Sequence, residues 1–241
     1  VIINSAAYTA VDKAESEPDA AFALNRDGAA LLAEAAARRG AAIIHVSTDY
    51  VFDGRKTGAW SEDDPTGPLN VYGRSKLAGE AAVRAANPRH VILRTSWVHG
   101  PHGTNFVRTM LRLARDRPEL RVVDDQTGSP TYAPHLAGAI LAVARAIVAR
   151  GAATPFGTYH LAGSGTTTWC GLARETMAVS ARLGGPSVPV QAITTADYPT
   201  PAARPRNSVL DCGRIAQAFD VSLPDWRIGV GDGVARLLIG T

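Results

Sequence analysis

Ser47-Thr48-Asp49-Tyr50-Val51-Phe52, followed after a loop by Asn70-Val71-Tyr72-Gly73-Arg74-Ser75-Lys76, is the stretch whose reading decides the fold. The run before it, Ala41-Ala42-Ile43-Ile44-His45-Val46, reads as a buried strand. The Ala-, Leu- and Glu-rich segment after it has a helical pattern. Ser47-Thr48 therefore stands at the carboxyl end of a strand, and Tyr72 in the first turn of a helix. Ligands of open α/β sheets bind outside the carboxyl ends of the strands. Tyr72 and Lys76, four residues apart, share one helix face. A cation near a phenol lowers its pKa from the ordinary value of about 10. The positive end of the helix dipole acts in the same direction. With the Thr48 hydroxyl directed at the same substrate oxygen, Thr48, Tyr72 and Lys76 make a proton-donating site for a carbonyl under reduction. Tyr-x-x-x-Lys alone also describes an ordinary exposed helix. Here, however, only Lys13, Lys56 and Lys76 are lysines, among 25 basic residues. Unlike arginine, lysine is a compact point charge that can give up its proton.

Working outward, Val1-Ile2-Ile3-Asn4 reads as a short strand, and Ser5 to Thr9 as a small-residue loop. Ala20 to Arg39 is expected to form one long helix closed by Gly40. Strand, helix, strand in this order implies parallel strands joined by a right-handed crossover. Val91 to Thr95 is a third strand, Pro134 to Ala149 a mostly apolar helix, and Tyr159 to Ala162 a further strand. The fold class is α/β, a doubly wound parallel sheet, with a smaller α/β part. That part draws on helices at Asn105–Arg115 and Trp169–Leu183, strands at Leu120–Val123 and Val188–Ile193, and a last helix from Gly229. The expected organisation is a dinucleotide-binding domain of residues 1–97 with 131–163, and a substrate-binding domain of residues 98–130 with 164–241.

A chain of 241 residues, 46% hydrophobic and 20% charged, can bury a sizeable core. Its net charge of +3 and lack of a basic run speak against a nucleic-acid partner. Cys170 and Cys212 are lone cysteines without metal-ligand spacing, as expected of reduced thiols in a cytoplasmic protein. No run of eighteen apolar residues is evident, so no membrane partner is expected. Glu62-Asp63-Asp64 reads as a solvated acidic loop, and His99 and His102 have no third ligand by sequence, so no metal is expected.

Two further residues are candidates for ligand contact. Trp97 follows the Val91–Thr95 strand in a glycine-punctuated loop, where it can cover a sugar or ring; a core role is the alternative. Arg204, with Arg206, lies in the proline-stiffened loop Tyr198 to Ser208. There it suits a phosphate, or serves as a solvated surface arginine.

The chain resembles the dTDP-4-dehydrorhamnose reductase family, a branch of the extended short-chain dehydrogenases. The resemblance is carried by Asn4–Pro18, Ser47–Gly54, Pro68–Glu80, Arg94–Phe106, Asp125–Tyr132, Gly157–Thr168 and Tyr198–Asp211. It implies reduction of the 4-keto group of dTDP-4-dehydro-L-rhamnose with NADPH or NADH. It implies Tyr72 as proton donor, Lys76 as the residue that holds the nicotinamide ribose and lowers the Tyr72 pKa, and Thr48 as their partner. Ala6, Ala7 and Tyr8 are implied to line the cofactor, and Thr48, Asp49, Trp97 and Arg204 to contact the dTDP-sugar. A homodimer is the assembly the resemblance allows. His99 stands where the family commonly has Tyr, which alters the expected wall of the sugar pocket. The Pro134-His135 stretch supplies no carboxylate at a place where some members hold Mg²⁺, so no metal is carried over. The family also opens with a glycine-rich strand–loop–helix that does not precede Val1, so the sheet is expected to be incomplete at its N-terminal side. Other readings within reach are a non-catalytic regulatory subunit of the methionine adenosyltransferase type and a sugar-nucleotide epimerase or dehydratase. Retained Thr48, Tyr72 and Lys76 favour the enzyme over the former.

Overall fold

The computed structural model describes residues 1–239 and divides into two compact units. The first comprises Val1–Thr95, Ala139–Leu161 and Thr200–Ser222. Its centre is a four-stranded parallel sheet of β1 (Ile2–Asn4), β2 (Ile43–Thr48), β3 (His90–Thr95) and β4 (Gly157–His160), in that spatial order. Ile43, Ile44, Val91, Ile92 and Leu93 are fully buried, as parallel strands covered on both faces require. Two helices matter most for the site, α1 (Ala29–Arg38) and α2 (Val71–Ala86). Ala29, Ala33 and Ala36 of α1 and Val83 of α2 close on Ile43 and Ile92 in one apolar cluster. Burying one such isoleucine contributes roughly 1.5–3 kcal/mol. The register pairs Thr48 with Thr95, which brings the carboxyl ends of β2 and β3 to one edge.

The long helix expected over Ala20–Arg39 is interrupted. Pro18–Phe22 is α-helical, Ala23–Gly28 is a π turn, and α1 follows. The physical reason lies in α2. A Cβ on Gly79 would stand 2.1 Å from the Asn25 carbonyl oxygen, so the two helices touch backbone to backbone there. The π turn turns the Asn25 side chain inward, where it accepts from the Tyr8 amide (2.8 Å) and donates to Ser75 Oγ (2.9 Å).

The compact units differ from the expected division mainly at two stretches, with residues 96–97 and 162–163 also falling in the second unit. Thr200–Ser222 falls in the first unit and residues 131–138 in the second. The first difference follows from the loop after Phe52. Trp60 exchanges backbone hydrogen bonds with Val209 and Asp211, its indole donates to the Asn207 carbonyl (2.9 Å), and Gly54 lies against Pro205. The acidic stretch in this loop is tied down by ion pairs, with Asp63 still largely exposed. Glu62 accepts from the His160 amide and pairs with Arg214, Asp63 pairs with Arg214, and Asp64 pairs with Lys56.

The second unit comprises Ser96–Gly138, Ala162–Pro199 and Leu223–Thr241. Leu120–Val123 and Val190–Ile193 form a parallel two-stranded ladder. Helices Phe106–Leu113, Trp169–Arg182 and Trp226–Ile239 contribute Val107, Met110, Leu172, Met177, Val230 and Val234 to its core. The last helix starts at Trp226, earlier than the expected Gly229, because the Trp226 amide is anchored on the Ser164 carbonyl (3.0 Å).

Helix Ala133–Arg150 is mostly apolar, as expected, with His135 and Arg145 breaking any run of eighteen apolar residues. By length and composition the segment Ala133–Ala153, of mean hydropathy 1.6, is apolar enough to cross a membrane. Leu136, Ile140, Val143 and Ile147 form its buried stripe, while Leu141 and Val148 are exposed.

Candidate active site

Thr48 ends β2 in extended conformation and caps the single turn Asp49–Val51 by accepting from the Tyr50 amide at 3.2 Å. Its hydroxyl donates to Asp49 Oδ1 at 2.9 Å. Opposite, α2 is started by Asn70, whose side chain accepts from the Gly73 amide at 2.7 Å. Glu15 accepts from the Val71 amide at 2.7 Å. Gly73 is required, since a Cβ there would meet the Tyr50 carbonyl oxygen at 2.3 Å. The close approach sets the Tyr72 ring edge-on to Tyr50, two residues on from Thr48, with centroids 5.5 Å apart.

Burial pushes the Tyr72 phenol up to about 12, with the Thr48 hydrogen bond opposing and the Asp49 charge adding to the rise. The lowering of Tyr72 by Lys76 expected from the spacing is therefore absent from this geometry. Lys76, 2% exposed, instead donates from Nζ to the Val46 carbonyl at 2.7 Å. Burial pulls its ammonium down to about 8, and the Glu80 charge works against that fall. Asp49 is buried as well, and burial raises its carboxyl to about 7 although Thr48 and Ser208 both hydrogen-bond to it.

One turn beyond Lys76, Glu80 is fully buried and takes a bidentate pair from Arg94 of β3, at 2.9 and 2.8 Å. Ser47 Oγ donates to the same carboxylate at 2.6 Å. Arg94 thus holds the Glu80 carboxyl below its usual range against the effect of burial. Sequence reading missed this pair. Its signal was a charge inside the apolar strand Val91-Ile92-Leu93-Arg94, which has to find an opposite charge.

The Ala6–Tyr8 loop leaves the carboxyl end of β1 with its backbone pinned. The Ala6 amide donates to Asn4 Oδ1 (3.1 Å), the Tyr8 amide to Asn25 Oδ1 (2.8 Å), and the Tyr8 hydroxyl to Glu17 (2.7 Å). The amide group of Asn4 then faces His45 Nδ1 at 3.0 Å, and burial keeps that imidazole neutral, with a pKa near about 3. Ala6 is exposed and Ala7 half-buried, which leaves room for a flat ligand against the backbone.

Arg204 lies in the same unit, but its guanidinium is engaged. It holds Asp12 bidentately at 2.9 and 2.7 Å and donates to the Thr200 hydroxyl and the Ala202 carbonyl. Arg204 keeps the Asp12 carboxyl below the usual range. The phosphate expected on Arg204 meets a side chain already bound to a carboxylate.

Trp97 belongs to the second unit. It has φ +48°, a left-handed conformation uncommon for a bulky residue. Its indole stacks on Trp169, centroids 3.6 Å apart and planes 7° from parallel. A Cβ on Gly128 would lie 2.4 Å from the Trp97 ring, so only glycine fits there. Trp169 donates to Gln126 Oε1 at 3.2 Å, and Phe106 packs beside it. Trp169 was read in the sequence only as the start of a helix. His99, also in this unit, is 2% exposed and lies against Tyr132, with its imidazole lowered to about 4 by burial. Among the described residues no three His, Cys, Asp or Glu side chains come together as metal ligands.

A parallel sheet with Thr48 at a strand end, beside a helix-borne Tyr72 that is followed by Lys76, is the arrangement of a short-chain dehydrogenase/reductase. The family described as RmlD substrate binding domain matches residues 1–239. The dTDP-4-dehydrorhamnose reductase of Sinorhizobium fredii is 52% identical over 226 residues, covering 94% of this chain and 76% of the relative. That of Escherichia coli K12 is 47% identical, covering 95% and 77%. The chain belongs to the dTDP-4-dehydrorhamnose reductase family. The crystal structure of a dTDP-4-dehydrorhamnose reductase from Clostridium acetobutylicum is similar, with TM-score 0.89, 38% identity, and coverage of 98% of this chain and 80% of that one. The Bacillus anthracis reductase, solved in complex with NADP, has TM-score 0.87 and 36% identity, with coverage of 100% and 80%. A dTDP-glucose 4,6-dehydratase from Streptomyces venezuelae, at 20% identity and TM-score 0.78, shares the fold alone.

Proposed function

We propose that this chain reduces the 4-keto group of dTDP-4-dehydro-L-rhamnose to give dTDP-L-rhamnose, with NADPH or NADH as reductant, in the cytoplasm. The observation that carries the reading is Tyr72 in the first turn of α2, edge-on to Tyr50 beside the strand end that carries Thr48, with Lys76 buried one turn further along the same helix. When bound, the reduced nicotinamide supplies the hydride for the sugar's C4. Ala6, Ala7, Tyr8, Tyr72 and Lys76 are the residues that would hold it. Tyr72 gives its proton to the 4-oxygen as negative charge develops there, and Thr48 donates a hydrogen bond to the same oxygen. Donors that act on charge appearing in the transition state accelerate the reaction. A phenol lifted by burial stays protonated at neutral pH, as a donor must. Asp49 and Trp97 are proposed contacts for the sugar nucleotide. Arg204 is better read as a clamp on Asp12 than as a phosphate ligand.

The test is oxidation of NADPH and NADH, followed separately, with the 4-keto sugar nucleotide as substrate. Consumption of neither cofactor would overturn the reading. A regulatory subunit without catalysis has no need of a buried Tyr72–Lys76 face, and no observation favours that alternative.

A further inference from the structure

The Thr48 hydroxyl has one proton and two lone pairs. In the structure its oxygen accepts from the Tyr50 amide (3.2 Å) and its proton is donated to Asp49 Oδ1 (2.9 Å). A proton held by a carboxylate is not available to a substrate oxygen. Both demands on Thr48 are met together when Asp49 carries a proton of its own. We propose that Asp49 works as a neutral carboxylic acid, a positioning residue that donates to Thr48 Oγ1 and so frees the Thr48 proton for the sugar's 4-oxygen; this rests on the reductase reading above.

The surroundings of Asp49 favour the neutral acid. The side chain is 2% exposed, and Oδ2 is buried without a hydrogen-bond partner. The groups facing it are Thr48 and Tyr50 of its own turn, Tyr72 of α2, and Ser208 of the loop packed over the turn. These are hydroxyls and phenols, joined by the Asp49 and Tyr50 backbone amides, and none is a cation. Arg204 of that loop is bound to Asp12. A buried carboxylate with no paired cation takes up a proton instead. Burial indeed raises the carboxyl to about 7. With Asp49 protonated, Thr48 accepts from Tyr50 and Asp49 and donates to the substrate, while Tyr72 donates to the same substrate oxygen. Asp49 keeps its proton throughout, and the proton delivered to the alkoxide is that of Tyr72.

The test is the pH profile of kcat for the wild-type enzyme and Asp49→Asn. Neutral Asn keeps an N–H donor toward Thr48 but cannot ionise. Wild-type kcat should fall as pH rises through about 7, where Asp49 loses its proton and reclaims that of Thr48. Asp49→Asn should lower kcat by about fivefold at about pH 6 and move the onset of the fall up toward about 8, where Lys76 discharges. His45 and His160, near about 3 and about 4, titrate too low to interfere. A fall near 7 that persists in Asp49→Asn overturns the proposal. So does a wild-type profile that stays flat to about 8. Infrared titration of the wild-type protein supplies an answer independent of the variant and of turnover. A protonated buried carboxyl band should appear at about pH 6 and vanish by about pH 8. Its absence at the lower pH overturns the proposal, whereas lack of turnover with the band present sinks the reductase reading alone.

Discussion

Trp169 lies flat on Trp97, ring centroids 3.6 Å apart and planes 7° from parallel, with Gly128 beneath the Trp97 ring. The stack holds Trp97 at a positive φ that its bulk disfavours. Strain of this kind, of order 1–3 kcal/mol, persists only where neighbours enforce it. Trp97→Ala is expected to weaken sugar-nucleotide binding and leave NADPH binding nearly unchanged. Trp169→Leu should lower the same affinity by a smaller factor, because it removes the support and leaves the contact. Calorimetric titration with each ligand separately checks both. Equal losses for the two ligands would make Trp97 a core residue only.

Tyr72→Phe is expected to lower kcat by about 10²–10⁴-fold with little change in substrate KM, as loss of a general acid does. The ring packs on Tyr50 through its edge, so Phe keeps the fold. Steady-state kinetics decides, and wild-type turnover by the Phe variant would exclude Tyr72 as donor.

Glu80 and Arg94 should behave as one unit in stability. Removing Glu80 leaves Arg94 buried and unpaired, which costs about 3–5 kcal/mol, whereas removing Arg94 leaves Glu80 its weaker pair with the part-exposed Arg84 at 3.3 Å. Glu80→Gln and Arg94→Met are each expected to lower Tm sharply, and the double variant to recover part of the loss. The pH dependence follows from the lowered carboxyl pKa of Glu80. Its stabilisation is fully present above the ordinary carboxylate value of about 4.3 and is lost as pH falls through the lower folded value. Acid unfolding of the Glu80→Gln variant should therefore show a weaker pH dependence. Thermal melts at stepped pH measure it.

If Arg204 serves to clamp Asp12, then Arg204→Met and Asp12→Asn remove the same interaction. The pair is partly exposed, with 20% and 43% of the side chains accessible, so a coupling of no more than about 1 kcal/mol is expected. A double-mutant cycle by urea unfolding gives that number. A large loss of sugar-nucleotide affinity in Arg204→Met with no coupling to Asp12 would restore the phosphate role.

Local chemistry made much of this protein legible before any coordinates. The apolar runs Ile43–Val46 and Val91–Leu93 had to be buried strands, and Tyr72 and Lys76 had to share a face, because side-chain period and hydrophobicity are properties of neighbouring residues. What only the tertiary structure decided depends on residues far apart in the chain. Gly79 against Asn25 broke the expected helix into a π turn. Trp60 against Val209 and Asp211 tied the loop after Phe52 to the segment carrying Arg204, and Asp12 took the guanidinium that the sequence offered to a phosphate. Burial raised Tyr72 where spacing alone predicted a fall, and turned Asp49 from a surface-type carboxylate into a group that titrates near about 7. Helical and strand periodicity read short-range sterics, whereas desolvation and ion pairing are set by whichever distant side chains the fold brings within a few ångströms.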